Sequence, residues 1–145
     1  MCGITGWLSY GNDVRVHRDE IEAMTRTLSK RGPDASGVWI DRHIGLGHRR
    51  LSVIDLEGGA QPMLATDEHG AGICLVFNGE IYNFASLRAE LQSFGHRFDT
   101  RSDTEVLLRG YLQWGDGVAA RLNGMFLFDQ PYSGLMKRVL DVLTR

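Results

Sequence analysis

Ile73-Cys74-Leu75-Val76-Phe77 is the stretch that decides the fold of this chain of 145 residues. Its side chains are apolar on both faces and partly β-branched, which is typical of a strand covered on both sides. Asn78-Gly79 follows at once and is expected to end the strand, because this pair favours a turn. The stretch therefore predicts a central strand with a further layer of structure on each face.

Shorter strands are predicted before and after this central one. The run 4–10 enters a turn, and the apolar stretches 38–40 and 44–46 flank a polar hairpin turn. The stretch 51–54 is also short and apolar, and residues 125–128 are expected to form a last buried strand. Several strands are therefore available to build sheets around the central stretch.

Helices are predicted between the strands from apolar residues at helical spacing. They span about residues 19–31, 83–95, 102–115 and 118–122. The second is expected to begin at the N-cap Asn83, to turn Phe94 inward with its other apolar residues, and to finish at Gly95. Buried strands with helices supplied between them predict a layered α+β domain, in which stacked sheets are sandwiched by helices.

Composition narrows the classes of function. The net charge of −2 carries no basic excess, which argues against nucleic acid as a partner. The longest apolar run has five residues, far fewer than the roughly 20 that a membrane-spanning helix needs. The N-terminus does not resemble a signal peptide, so a cytoplasmic location with both cysteines reduced is expected. Motifs for metal ligands and for nucleotide phosphates were not found, and no metal is predicted.

Cys2 is the first candidate for chemistry, because its thiolate is a nucleophile once something removes the proton. The small residue at position 2 favours removal of Met1, and the freed α-amine has an ordinary pKa of about 7.7 to 8. Such an amine can act as the general base near neutral pH, directly or through a water molecule. A lone cysteine after the start would carry little weight, so the other motifs decide.

Five motifs occur in order along the chain and agree with one family. They are Cys2-Gly3-Ile4-Thr5-Gly6, Arg31-Gly32-Pro33-Asp34, the stretch 48–55 (HRRLSVID), the stretch 78–83 (NGEIYN) and Ser102-Asp103-Thr104-Glu105. Residues 1–128 thereby resemble the glutaminase domain of glutamine-hydrolysing asparagine synthetases, which are class II, N-terminal-nucleophile amidotransferases. The resemblance implies the α-β-β-α sandwich of the N-terminal-nucleophile hydrolases.

The resemblance also implies catalytic roles for individual residues. Cys2 would attack the side-chain amide of L-glutamine, forming a thioester and releasing ammonia. The side-chain NH₂ of Asn78 and the backbone N–H of Gly79 would form the oxyanion hole. Standing alone, Asn78-Gly79 would favour the hairpin turn instead.

Substrate binding is implied at four positions. Arg50 would hold the α-carboxylate, for which a planar guanidinium is well suited, while strand alternation turns the neighbouring Arg49 away. Asp103 would accept hydrogen bonds from the α-ammonium group, with Ser102 as the helix cap. The two remaining positions are Val53 and Glu80.

Three other candidates are expected to have structural roles. Cys74 lies in the apolar central stretch and is expected to be an inert core thiol. His48 is expected to be structural, because the mechanism already has a base. The loop at residues 31–34 is expected to shape the wall of the pocket.

Residues 129–145 do not resemble the continuation of the family. A turn at residues 130–134 and an amphipathic helix with apolar residues at 136, 139, 140 and 143 are predicted there. The domain is therefore expected to be truncated at its C-terminal end. The helix would cover exposed sheet or mediate homo-oligomer formation.

The implied glutaminase reaction needs no cofactor. ATP and Mg²⁺ are expected only for a synthetase domain, absent from this chain, that would accept the ammonia for asparagine synthesis. Two alternatives stay open. One is a catalytically silent relative that binds glutamine or oligomerises. The other is a glutaminase domain of an amidotransferase acting on phosphoribosyl or sugar phosphates, which shares Cys2 and Asn78-Gly79.

Overall fold

The computed structural model describes residues 2–52, 58–67 and 69–129. The predicted turn and helix at residues 130–145 lie outside these ranges, as do residues 53 and 54 of the predicted strand. Within them, no helix is both long and apolar enough to cross a membrane.

The first sheet is antiparallel, with the strand order β1-β3-β2. Its strands are β1 (Gly3–Leu8), β2 (Ala35–Ile40) and β3 (Ile44–Arg50). The predicted hairpin at residues 41–43 is confirmed, since the Asp41 N–H donates to the Ile44 carbonyl oxygen at 2.7 Å. β3 is the middle strand, so both of its edges are paired.

The second sheet has the order β4-β5-β6, with β4 (Met63–Thr66), β5 (Gly72–Ile81) and β6 (Gly124–Asp129). The prediction that the central strand ends at Asn78-Gly79 is wrong. β5 continues to Ile81 because β6, more than forty residues further along the chain, pairs with residues 76–81. The prediction that β6 is a buried strand is also wrong at Met125, which is 68% exposed.

The helices are α1 (Arg18–Thr27), α2 (Phe84–Ser93) and α3 (Asp103–Trp114). Short 3₁₀ segments occupy Val14–His17 and Gly115–Arg121, and the second replaces the helix predicted at residues 118–122. α1 ends four residues before the predicted boundary of 31. The Leu28 carbonyl instead accepts the N–H groups of Arg31 and Gly32 in a tight turn at the end of the helix.

The end of α2 differs from the prediction in one side chain. Phe94, expected to turn inward, is the C-cap residue and is 54% exposed. Gly95 follows with a φ of 93°, and the next N–H, that of His96, donates back to the Leu91 carbonyl oxygen at 3.1 Å. A glycine with positive φ and a hydrogen bond back to the last turn is the αL ending of a helix, so the helix stops at Phe94.

β5 joins the two halves of the core, because its side chains alternate between two faces. One face packs against α2 and α3 through Ile73, Leu75, Phe77 and Ile81. The other face packs Cys74 and Val76 against Ile44 and Leu46 of the first sheet. Full burial of such an apolar side chain contributes about 2 kcal/mol.

α1 covers the outer face of the first sheet, where the hydroxyls of Thr5 and Thr25 lie 3.0 Å apart. The layers therefore run α1, first sheet, second sheet, then α2 and α3. This order confirms the predicted α-β-β-α arrangement, including the central strand covered on both faces.

Candidate active site

The core between the sheets becomes polar at one end. On β3 the residues that follow Ile44 and Leu46 by strand alternation are His48 and Arg50. On β5 Asn78 and Glu80 continue the face of Cys74 and Val76 in the same way. The candidate site is thus the polar continuation of an apolar inter-sheet core.

A cavity of about 380 Å³ opens at this polar end. This volume falls within the range of small-molecule sites, which is about 300 to 1,000 Å³. The residues that line it are Cys2, Arg50, Leu51, Gly59, Gln61, Phe77, Asn78, Gly79, Glu80, Ser102, Asp103, Thr104, Met125 and Phe126. Six predicted site residues therefore share one cavity, although they come from four separate parts of the chain.

Cys2 is half-buried and immediately precedes β1. The pairing of Gly3 with Arg49 carries Cys2 to the end of β3, beside Leu51. The Leu51 N–H donates to Cys2 Sγ at 3.4 Å, and Sγ lies 3.7 Å from the Leu51 carbonyl oxygen. A thiolate accepts hydrogen bonds and a thiol can donate one, so the Leu51 backbone matches both forms of the nucleophile.

Asn78 and Gly79 lie inside β5 rather than in a turn, so their backbone is held by the sheet. A side chain at position 79 would collide with Phe126 and with the Met125 carbonyl oxygen on β6. Glycine is therefore required there by the close approach of β6. The result is a small, rigid stretch of backbone on the wall of the cavity.

Arg49 and Arg50 point in opposite directions, as strand alternation predicts. Arg50 lines the cavity and is 7% exposed. Arg49 instead donates through Nε to the Gly32 carbonyl oxygen at 2.8 Å, on the other side of β3.

Asp103 opens α3 and is 6% exposed. Ser102 is the N-cap, because its hydroxyl accepts from the Glu105 N–H at 3.2 Å, as predicted. This arrangement leaves the Asp103 carboxylate to accept from the Ile81 N–H at 3.1 Å and to line the cavity. Burial raises the pKa of Asp103, and the nearby Glu80 carboxylate adds to the rise, while backbone N–H groups oppose it.

The loop before α3 is wound around the buried carboxylate of Glu105. The N–H groups of Asp99 and Thr100 and the Thr100 hydroxyl donate to it, and Arg109 pairs with it at 3.2 Å. Burial alone would raise the pKa of Glu105, but these donors together lower it below its ordinary value. These contacts fix the loop that leads into α3 and thereby the position of Asp103.

His48 lies at the junction between the apolar core and the cavity and is 1% exposed. Its Nε2 is 3.1 Å from the Phe77 carbonyl oxygen, a contact that links the two sheets. Burial lowers the pKa of His48 to about 4, and the charge on Arg50 lowers it further, against the opposing effect of the Phe77 carbonyl. Neutral His48 therefore donates from Nε2, consistent with the expected structural role.

The loop at residues 31–34 does not occur among the described residues that line the cavity. It supports the end of β3 from outside instead. The Asp34 N–H donates to the Arg50 carbonyl oxygen at 3.0 Å, and the Asp34 carboxylate accepts from the Ser52 N–H at 2.7 Å. Val53, a predicted substrate-binding residue, lies outside the described residues.

Several contributors to the cavity are not predictable from the sequence motifs, among them Gln61, Thr104 and the Leu51 backbone. Gln61 directly precedes a proline and a strand, which is a signal for a strand entry but not for a site. A backbone contribution such as that of Leu51 leaves no signal in residue type. In the described part of the chain, no group of three or more His, Cys, Asp or Glu side chains could hold a metal ion.

Known sequences of one family are similar to this chain. A family model described as "Glutamine amidotransferase domain" matches residues 1–133. Asparagine synthetase [glutamine-hydrolyzing] 3 of Bacillus subtilis is 48% identical over 128 residues, which are 88% of this chain and 21% of that protein. Asparagine synthetase [glutamine-hydrolyzing] 1 of the same organism is 43% identical over 130 residues, 88% of this chain and 20% of that protein. The chain thus spans about a fifth of the length of these curated relatives.

Solved structures show the same fold. The glutamine phosphoribosylpyrophosphate amidotransferase from B. subtilis superimposes with a TM-score of 0.72 at 18% identity, covering 91% of this chain and 35% of that one. The allosteric regulatory enzyme of purine biosynthesis superimposes with a TM-score of 0.54 at 26% identity, covering 64% of this chain and 22% of that one.

Proposed function

Because this chain belongs to the glutamine amidotransferase domain family, we propose that it hydrolyses L-glutamine to glutamate and ammonia, with Cys2 as the nucleophile. The observation that carries the proposal is the shared cavity, on which Cys2, Arg50, Asn78 and Asp103 all border. The cavity combines a nucleophile and donors for an oxyanion with a cation for an α-carboxylate and an anion for an α-ammonium group.

Removal of Met1 makes the α-amine of Cys2 the general base. The amine takes the thiol proton, and the sulfur attacks the side-chain carbonyl carbon of glutamine. The charge that develops on the carbonyl oxygen is stabilised by the Asn78 side-chain NH₂ and the Gly79 N–H, each a preorganised donor. Collapse of this intermediate breaks the C–N bond, the amine returns its proton to the leaving ammonia, and a thioester remains. Water then releases glutamate and restores the thiol.

Arg50 and Asp103 bind the two charged groups of the substrate that do not react, the α-carboxylate and the α-ammonium group. The guanidinium pairs with the α-carboxylate through two parallel hydrogen bonds. The Asp103 carboxylate accepts from the α-ammonium group, and Glu80 adds negative charge on the same side of the cavity. Val53 is proposed as a further contact to the substrate on the strength of the family motif. The reaction uses no cofactor.

The ammonia is proposed to pass to a synthetase domain that makes asparagine with ATP and Mg²⁺. The support is the similarity to relatives that are named glutamine-hydrolysing asparagine synthetases. The structural match to a phosphoribosylpyrophosphate enzyme carries no weight against this acceptor, because at 18% identity it shows the fold alone.

Covalent labelling tests the proposal. The chain with Met1 removed, as verified by intact mass, is incubated with a diazoketone analogue of glutamine, and peptide mapping locates the adduct. We expect one adduct, at Cys2, and loss of both labelling and ammonia release in Cys2→Ser. The matched control is Cys74→Ala, which changes the other thiol and is expected to label normally. An unmodified Cys2 in the processed chain contradicts the proposal.

A catalytically silent glutamine binder remains the second candidate, since Arg50 and Asp103 would bind glutamine whether or not Cys2 reacts. Calorimetric binding of glutamine without release of ammonia would favour this candidate over the hydrolase.

A further inference from the structure

Gln61 connects two walls of the cavity through its side-chain amide. Its Oε1 accepts from the Phe77 N–H on β5 at 2.5 Å. Its Nε2 donates to the Thr104 hydroxyl on α3 at 3.2 Å. A single side chain, itself lining the cavity, therefore joins the strand on one side to the helix on the other.

The pairing of β4 with β5 explains why a side chain is needed at this point. β4 begins at Met63, opposite Leu75, so two more positions along the same register would set Gln61 opposite Phe77. Pro62 intervenes, and the ladder stops. The Gln61 side chain takes the Phe77 N–H in place of a backbone carbonyl, and His48 binds the Phe77 carbonyl oxygen from the first sheet. Both polar backbone groups of Phe77 are held by side chains.

The two partners of Gln61 are each adjacent to a residue of the proposed mechanism. Phe77 precedes Asn78, the oxyanion donor, and Thr104 follows Asp103, the acceptor for the α-ammonium group. Thr104 is 3% exposed and lies in the first turn of α3, so it moves with Asp103. The amide of Gln61 thus spans the interval between the groups that would hold the two ends of one substrate.

We infer that Gln61 is a positioning residue that fixes the separation between Asn78 and Asp103. This inference rests on the proposed glutaminase function. Gln61 acts through its two neighbours and needs no contact with the substrate. Its Phe77 arm, the hydrogen bond from the Phe77 N–H, positions Asn78 at the reacting amide of glutamine. Its Thr104 arm, the hydrogen bond to the Thr104 hydroxyl, positions Asp103 at the α-ammonium group.

Three variants separate the two arms. Gln61→Met removes both hydrogen bonds with little change in shape, and we expect kcat to fall by about tenfold or more, because small misplacements of preorganised groups are costly. Thr104→Val removes the helix arm alone and is expected to raise KM severalfold while kcat changes little. Gln92→Met is the matched control, since Gln92 is exposed on α2. It is expected to leave kcat and KM unchanged.

A double-mutant cycle distinguishes positioning from a general structural role. In an Asn78→Ala background, the side-chain donor that Gln61 is proposed to position is already missing, so the kcat effects of the two substitutions are expected to be strongly non-additive. Equal effects of Gln61→Met in both backgrounds would overturn the inference, as would wild-type kcat and KM in Gln61→Met. If Gln61→Met does not fold, an unchanged KM in Thr104→Val overturns it.

Amide hydrogen exchange keeps this test independent of the proposed function. The Phe77 N–H is expected to exchange about tenfold faster in Gln61→Met but not in Gln92→Met, because its acceptor has gone. Absence of turnover in the wild-type chain contradicts the proposed function. Unchanged Phe77 exchange in Gln61→Met contradicts the inference alone.

Discussion

At the scale of single residues, Arg49 and Arg50 show how one position along a strand changes a role. Both carry guanidinium groups on β3, but Arg50 borders the cavity and Arg49 binds the Gly32 carbonyl oxygen outside it. We expect Arg50→Lys to raise KM for glutamine by about tenfold or more, because lysine cannot form the bidentate pair with the α-carboxylate.

Steady-state kinetics of Arg50→Lys and Arg49→Lys, side by side, measure this difference. Arg49→Lys keeps the charge and is expected to leave KM within about twofold of wild type, since it removes only a contact outside the cavity. A larger rise in KM for Arg49→Lys than for Arg50→Lys would reverse the assignment.

The pKa of Asp103 is expected to set the acid side of the pH profile of kcat/KM. Burial raises its pKa, so it takes up a proton at a higher pH than an ordinary aspartate does. The protonated form carries no charge to pair with the α-ammonium group. We therefore expect kcat/KM to fall, as the pH is lowered, from a point above the usual aspartate range.

Asp103→Asn provides the comparison for this profile. It is expected to give a low kcat/KM with the Asp103 limb missing, measured over the same buffers. An acid limb of wild-type shape in Asp103→Asn would assign that limb to another group.

At the scale of elements, two glycines test whether backbone conformation alone affects the stability of the fold. Gly95 and Gly117 both have open space where a β-carbon would go, but only Gly95 has a left-handed φ, of 93°. Gly95→Ala is therefore expected to cost about 1 kcal/mol, because alanine is strained there. Gly117→Ala is expected to change stability by less than about 0.5 kcal/mol.

Urea denaturation of the two alanine variants measures these costs under the same conditions. Equal losses of stability in both would show that φ at Gly95 is not the cause.

Elements also show where prediction from sequence reached its limit. The cap at Ser102 and the stop at Gly115 were predictable because each depends on residues within one turn of the helix. The length of β5 was not. Asn78-Gly79 is a strong local turn signal, and the strand that overrides it, β6, begins only at residue 124. Pairing between distant strands leaves no mark in the sequence around either one.

At the scale of the whole molecule, the stacked layers were predictable from one run that is apolar on both faces. Candidate residues could be assigned from motifs in the sequence. Their meeting at one end of the inter-sheet core could not, because it depends on the relative register of β3 and β5. The role of Gln61 could not be predicted for the same reason, since its two partners become neighbours only after the sheets and α3 are assembled.

His48 ties the two sheets together and predicts how the whole fold responds to acid. Its folded pKa of about 4 lies below the ordinary 6.5, so the unfolded chain binds the proton more tightly. The contribution of His48 to the free energy of unfolding is therefore fully present above about pH 6.5 and is lost as the pH falls towards 4. Between pH 7 and pH 5 the loss from this group is about 2 kcal/mol.

Denaturation at pH 7 and pH 5, in wild type and in His48→Gln, measures that loss. Glutamine at this position can still donate an N–H to the Phe77 carbonyl but does not titrate, so its stability should change less between the two pH values. The lowered pKa of Glu105 does not interfere, because its contribution is lost only below its ordinary value of 4.5. The same pH dependence in both proteins would remove His48 as the cause.

The unequal burial of the two sulfur atoms makes the chain a reporter of its own folding. Cys2 borders the cavity, whereas Cys74 is 1% exposed within the core. A thiol-specific reagent should therefore be consumed with a stoichiometry of one by the native chain and two in denaturant. Cys74→Ala should consume one equivalent in both conditions, which makes the second equivalent a direct count of molecules whose sheets have come apart.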